Sequence, residues 1–230
     1  MLLILAAVLP AAYLMIKVYR SDRLEPEPPG LVIGLVLLGM ISTALAGGAE
    51  RLGDAILRYL GAEEGTLLYN ALFYFLVVGP AEEGFKYAVL RWRTWRHPAF
   101  DCQYDGVVYA VFVSLGFALW ENIGYVLMYG WSTAVARALT AVPGHACFGV
   151  FMGAWYGVAK RYELYGYERE SKRSRRLCVI VPALIHGCYD FIASLESEVF
   201  VLVFLAFVIV MFITALRFVK RLSKGDQYMQ

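Results

Sequence analysis

The chain has 230 residues, 60% of them hydrophobic and 17% charged, with a formal net charge of +2 and a mean hydropathy of +0.59. A soluble core of this size does not need so many apolar side chains, so the composition points to a membrane protein. The small positive charge offers no electrostatic footprint for nucleic acid, and no such partner is expected.

A hydrocarbon core of ~30 Å takes about 20 helical residues to cross. Apolar runs of that order fall at 1–19, 31–48, 66–90, 106–129, 134–159, 177–195 and 199–218. The expected fold class is therefore all-α, a polytopic membrane protein of about seven transmembrane helices enclosing a polar intramembrane site. It forms a single integral-membrane domain over residues 1–230, with core motifs at 79–190 and accessory helices at 1–48 and 199–218.

The first run lacks a basic leader and is followed by Lys17 and Arg20, so it reads as an outside-in anchor rather than a signal peptide. A Glu-Pro-Glu-Pro-Pro loop precedes the second run, and an amphipathic stretch from Glu50 to Glu64 follows it. The third run contains the string Pro80-Ala-Glu82-Glu83-Gly-Phe-Lys86, two adjacent carboxylates inside an apolar segment. Burying such a pair at bilayer depth costs several kcal/mol, so it marks a working site.

Beyond the basic loop Arg91–Tyr104, the fourth run carries Glu121 and Asn122, and a tight turn is expected at Gly130. The fifth run carries His145. After the basic loop Lys160–Arg176 the sixth run carries His186 and Asp190, and an acidic turn leads to the seventh run and a basic tail. The four cysteines have no framework spacing.

Basic residues test this partition, because cytoplasmic flanks hold the excess of Lys and Arg. The first, third and fifth loops and the tail together hold 17 of the 21. The chain is thus expected in the cell membrane, multi-pass, with its N-terminus outside and its C-terminus cytoplasmic.

The polar islands share a depth, since at 1.5 Å per residue Glu82, Glu121, His145 and His186 lie roughly 12 to 22 Å from the cytoplasmic helix ends. Small residues recur every four positions along Gly106, Ala110, Ser114, Ala118 and Asn122, and along Ala141, His145, Gly149, Gly153 and Gly157. Such stripes let helix backbones approach closely in lipid, so His145 and Asn122 should face other helices. Prolines 80, 143 and 182 each precede an island, and a carbonyl freed by an intrahelical proline is tolerated beside a hydrated chamber.

Glu82 and Lys86 are four apart and can pair, with Glu83 turned about 100° around the helix into a different environment. Asp190 stands one turn from His186 and can fix its tautomer, whereas a partner for His145 must come from another helix. Two histidines and three glutamates at one depth permit a divalent metal such as zinc, with Glu82, Glu121, His145 and His186 as candidate ligands. The spacing does not require one. No serine or cysteine nucleophile stands out.

In order along the chain, Glu82-Glu83-x-x-Lys86, Phe117-x-x-x-Glu121-Asn122, His145-x-x-x-Gly149 and His186-x-x-x-Asp190 resemble the successive motifs of the PrsW family of bacterial membrane proteases. This family is distantly related to the CAAX prenyl proteases and Abi proteins. The resemblance implies an intramembrane protease that hydrolyses peptide bonds of membrane-anchored protein substrates, an anti-sigma factor being the best-known substrate class.

It also implies Glu82 as base with Glu83 in support, His186 binding water or the oxyanion, and Asp190 orienting His186. The CAAX-type relatives have histidine where this chain has Glu121, which leaves Glu121 as a second acid or a metal ligand. Lys86 and Asn122 are supporting residues. A proton- or cation-coupled transporter is the alternative, since intramembrane Glu, His and Asp also build proton relays; it would call for an internal repeat, and none is evident.

Overall fold

A computed structural model of the chain describes residues 2–229, and it is all-α, with no strand among those residues. In chain order the helices are α1 (Leu2–Tyr19), α2 (Pro29–Tyr59), α3 (Leu67–Leu72), a π-helical turn (Phe73–Val78), α4 (Gly79–Thr94), α5 (Asp105–Tyr129), α6 (Trp131–Leu139), α7 (Ala141–Leu164), α8 (Glu168–Ala193) and α9 (Glu198–Lys224). Five rods are long and apolar enough by themselves to cross a membrane, namely α2, α5, α6 with α7, α8 and α9. The shorter apolar α1 and the composite rod from α3 to α4 stand in the places of the other two expected crossings.

The outward faces are what a lipid solvent requires. On α2, Ile33, Leu37, Ile41 and Leu45 recur every four residues and are all exposed, a stripe that water would penalise and acyl chains do not. By contrast α5 is central, with 78% of its apolar window buried against 17% for the peripheral α9. The polytopic membrane fold expected from the apolar runs is the one observed.

The small-residue stripes are the seam between α5 and α7. A methyl group added at Gly153 would meet the Gly106 carbonyl oxygen at 2.4 Å and the Val107 Cα at 2.4 Å, so these backbones touch and only glycine fits. That approach carries His145, two turns up the same stripe, to the flank of α5 that bears Phe117, and their rings lie 5.7 Å apart.

Several boundaries differ from the apolar runs. The amphipathic stretch from Glu50 is a continuation of α2 as far as Tyr59. Thirty-one residues rise about 46 Å, more than the hydrocarbon thickness, so its last turns project into water. There Arg58 pairs with Asp54 (2.8 Å) and Glu64 (2.6 Å), and Tyr69 also bonds to Asp54.

The basic loop Lys160–Arg176 is mostly helix too, being the ends of α7 and α8 joined through 165–167. The fifth crossing is broken at Thr140 (φ −123°, ψ −66°). Pro143 therefore lies in the first turn of α7, where its missing N–H costs nothing. Pro80 opens α4, directly after the π-helical turn, whose wider winding relieves the clash of the ring with the preceding turn. Pro182 sits within α8 and Pro80 within the unbroken rod from α3 to α4, so the freed-carbonyl argument fails only at Pro143.

Gly79 makes the other close approach, where a methyl group would meet the Ala183 carbonyl oxygen at 2.5 Å. This contact locks the start of α4 onto α8, one turn from His186. The Glu-Pro-Glu-Pro-Pro loop is anchored rather than loose. Glu27 is buried and accepts a hydrogen bond from Tyr109 Oη at 2.6 Å, and burial pushes its carboxyl up to about 7.

Candidate active site

The first turns of α4 deliver Glu82, Glu83 and Lys86 into the protein interior, where Glu83 and Lys86 are completely buried and Glu82 nearly so. The Lys86 ammonium lies 3.0 Å from Glu82 Oε2, 2.7 Å from Glu83 Oε1 and 3.2 Å from His145 Nδ1. Its three donors thus meet three acceptors, and the Phe117 ring caps it with the centroid 4.0 Å away. One lysine serves both glutamates, although the helical offset suggested separate environments. They differ instead in access, because Glu82 lines a cavity and Glu83 does not.

Since His145 Nδ1 accepts from Lys86, its Nε2 carries the hydrogen and donates to Glu121 Oε2 at 3.0 Å. The partner from another helix that His145 needed is therefore Glu121 on α5. Glu121 Oε2 also accepts from Arg137 Nη2 at 2.9 Å, and Arg137 Nε donates to Asn122 Oδ1 at 3.0 Å. Asn122 Nδ2 in turn donates to the Ala7 carbonyl of α1 at 2.9 Å. Asn122 thus faces other helices and touches the site only through Arg137.

On α8, His186 stands among three carboxylates. Its Nδ1 is 3.0 Å from Glu83 Oε1 and 3.8 Å from Glu82 Oε2, while Nε2 is 3.3 Å from Asp190 Oδ2. The imidazole stacks on Phe148, with centroids 4.5 Å apart, and meets His145 edge-on at 5.4 Å. These contacts fix the ring plane.

A cavity of about 360 Å³ opens beside these groups and is lined by Glu82, Glu121, His145, His186 and Asp190. Two lining residues were not foreseen. Glu50, in the C-terminal half of α2, opens the stretch read as amphipathic, and Arg137 on α6 is one of the four basic residues outside the basic flanks. An arginine and a glutamate bordering apolar runs were the signals available.

A metal can be tested on this geometry. One ligand atom from each of Glu82, Glu83 and His186 lies within 4.8 Å of the others, two carboxylate oxygens and an imidazole nitrogen beside a cavity that leaves a further position free. Glu83 Oε2 is buried without a hydrogen-bond partner. The carboxylates of Glu50, Glu82, Glu83, Glu121 and Asp190 outnumber Lys86 and Arg137 around the site, and uncompensated charge at this depth is costly. The residues therefore fit a divalent cation. The four candidate ligands named from the sequence divide into two walls, Glu121 bonding to His145, and Glu82 joining Glu83 next to His186.

Comparison with known proteins agrees with this chemistry. A family model described as PrsW family intramembrane metalloprotease matches residues 27–216. Protease PrsW of Oceanobacillus iheyensis is 34% identical over 222 residues, covering 96% of this chain and 95% of the relative. Protease PrsW of Halalkalibacterium halodurans is 32% identical over 225 residues, covering 98% and 99%. That of Bacillus subtilis is 32% identical over 196 residues, covering 85% and 84%. No solved structure shows a significant match.

Proposed function

The chain belongs to the PrsW family of intramembrane metalloproteases and is a membrane-embedded endopeptidase, and on that premise we propose how its residues divide the work and what they act on. The observation that carries the proposal is the convergence of Glu82 and His186, which line the cavity, with the buried Glu83. Amide hydrolysis needs a base for water, an acid for the departing amine and a stabilised oxyanion.

Glu82, the carboxylate of the pair that faces the cavity, takes the proton of the attacking water. Glu83 and Lys86 hold it from behind, and Asp190 sets the orientation of His186 toward the reacting atoms. Glu82 then returns that proton to the departing amine, while His145 and Glu121, steadied by Arg137, face it from the opposite wall. Glu83 and His186, with Glu82 beside them, would hold a divalent cation, and zinc best suits such nitrogen and oxygen donors with one position open. When bound, that ion supplies a Lewis acid and a more acidic water.

Metal analysis of purified protein, combined with cleavage of a membrane-anchored peptide, tests this division. Chelation should abolish cleavage and zinc should restore it. Undiminished turnover by protein verified as metal-free would rule out the metal part of the proposal.

The cavity is lined from the C-terminal halves of α2, α5 and α8, from the π-helical turn and the first turn of α4, from α6 and from the N-terminal turns of α7. All of these lie on the side opposite the 17 clustered basic residues. With the N-terminus outside, the site faces the external half of the bilayer. We therefore propose substrates that are membrane-anchored proteins cut near the outer surface, with an anti-sigma factor as the class to try first. A reporter fused after Arg176 should read as cytoplasmic and one inserted at Gly130 as external; reversed signals would turn the site toward the cytoplasm.

A further inference from the structure

At the basic end of the molecule, α4, α7 and α8 enclose a second cavity of about 880 Å³ that has no part in the proposed catalysis. Its lining includes Arg91, Arg96, Lys160 and Arg175 but a single carboxylate, Glu163. Glu163 is already engaged, accepting from Trp95 Nε1 at 3.1 Å and standing 3.7 Å from Lys160 Nζ. Among the described residues Arg91, Arg96 and Arg175 form no ion pair. Arg175 is held over the buried Trp95 ring, 5.3 Å from its centroid, and Lys160 donates to the Trp95 carbonyl at 2.9 Å. Arg175 is thus positioned by the fold while its charge is left unmatched.

The cavity does not end in water alone. Arg91 and Arg175 also line an adjoining groove with Val179 and Ile180, and the groove leads onto the face of α8 where Ile180 and Leu184 are exposed to lipid. An arginine-rich chamber that continues into an apolar track matches a ligand with a phosphate head and hydrocarbon tails. Arginine forks bind phosphate oxygens in pairs, and basic pockets between helices at this level suit anionic headgroups. We propose that this cavity is a binding site for an anionic phospholipid, its phosphodiester between Arg91, Arg96 and Arg175 and its acyl chains along α8.

The bound lipid would tie α4 to α8, the two helices that carry Glu83 and His186. The proposal stands apart from the catalytic assignments, since it uses none of those residues.

The test is competitive lipid retention by the full-length protein in mixed micelles of phosphatidylglycerol and phosphatidylcholine, read by native mass spectrometry. A preference for phosphatidylglycerol of about tenfold or more is expected from several basic side chains at the headgroup level. Arg91→Gln with Arg175→Gln should erase most of that preference. Lys172→Gln with Arg173→Gln removes the same charge from exposed positions of α8 outside the cavity and should leave it intact. Thermal midpoints of both double variants in phosphatidylcholine alone verify folding.

Equal loss in the two variants would reduce the effect to general surface attraction and overturn the site. No lipid preference in the unmodified protein would do the same. Displacement of phosphatidylglycerol by millimolar inorganic phosphate or pyrophosphate would overturn the lipid and assign the chamber to a soluble phosphate.

Discussion

Glu82→Gln protein is expected to insert and fold normally while its cleavage of a membrane-anchored substrate falls by about 10²- to 10⁴-fold, the range supplied by a positioned acid or base. The amide keeps the shape of the side chain and can still accept from Lys86, 3.0 Å away in the parent, so packing is preserved. What disappears is the carboxylate that lines the cavity and would receive the proton of water. His186→Ala should lose activity to a similar degree, because it removes the group on which Glu83 and Asp190 converge. The measurement is cleavage per folded molecule, with folding verified by size-exclusion profile and melting. Robust turnover by the Gln variant would transfer the base role to Glu121, across the cavity.

Lys86→Met should damage the fold as well as the chemistry. The ammonium is completely buried and touches Glu82, Glu83 and His145, so its loss leaves two adjacent buried carboxylates without their cation. Breaking a buried pair from one side costs about 3 to 5 kcal/mol, a large share of the stability of an ordinary domain. A markedly lower melting midpoint and loss of cleavage are both expected. Lys86→Arg retains the charge but brings a planar fork into a site shaped for three donors on one nitrogen, so it should recover stability in part and activity poorly. Native melting and turnover in the Met variant would mean that the glutamates are neutralised without the lysine. In the structure Lys86 is completely buried and points inward, so its side chain does not extend toward the end of the helix.

Helix spacing explains why depth was legible and contact was not. Apolar runs and a rise of 1.5 Å per residue locate Glu82, Glu121, His145 and His186 along the membrane normal. They say nothing of which residue each meets across the bundle. The i, i+4 pairs were legible because both partners lie on one helix, and Glu82 with Lys86 and His186 with Asp190 are indeed in contact. The bonds from Glu83 to His186 and from Glu121 to His145 join different helices and depend on how α4, α5, α7 and α8 are rotated and packed.

The small-residue stripes occupy a middle position. Periodicity showed that Gly106 and Gly153 face neighbouring helices, and the structure shows that they face each other. One proline was over-read, because a sequence marks where a helix loses an N–H but not whether a new helix begins there. Pro143 proved to lie in the first turn of α7, after a break at Thr140, whereas Pro80 continues a rod through a π-helical turn.

By itself the sequence determined the class of solvent, the all-α crossings, the basic side of the molecule and which polar residues lie within apolar runs, because hydropathy, charge and helical period are local properties. Only the tertiary structure decided that Lys86 is shared by two glutamates, that Glu83 rather than Glu121 stands beside His186, and that Glu50 and Arg137 border the cavity. Those facts follow from close backbone contacts such as Gly79 against Ala183, where the absence of one side chain sets how near two helices come and so which charged groups must neutralise one another.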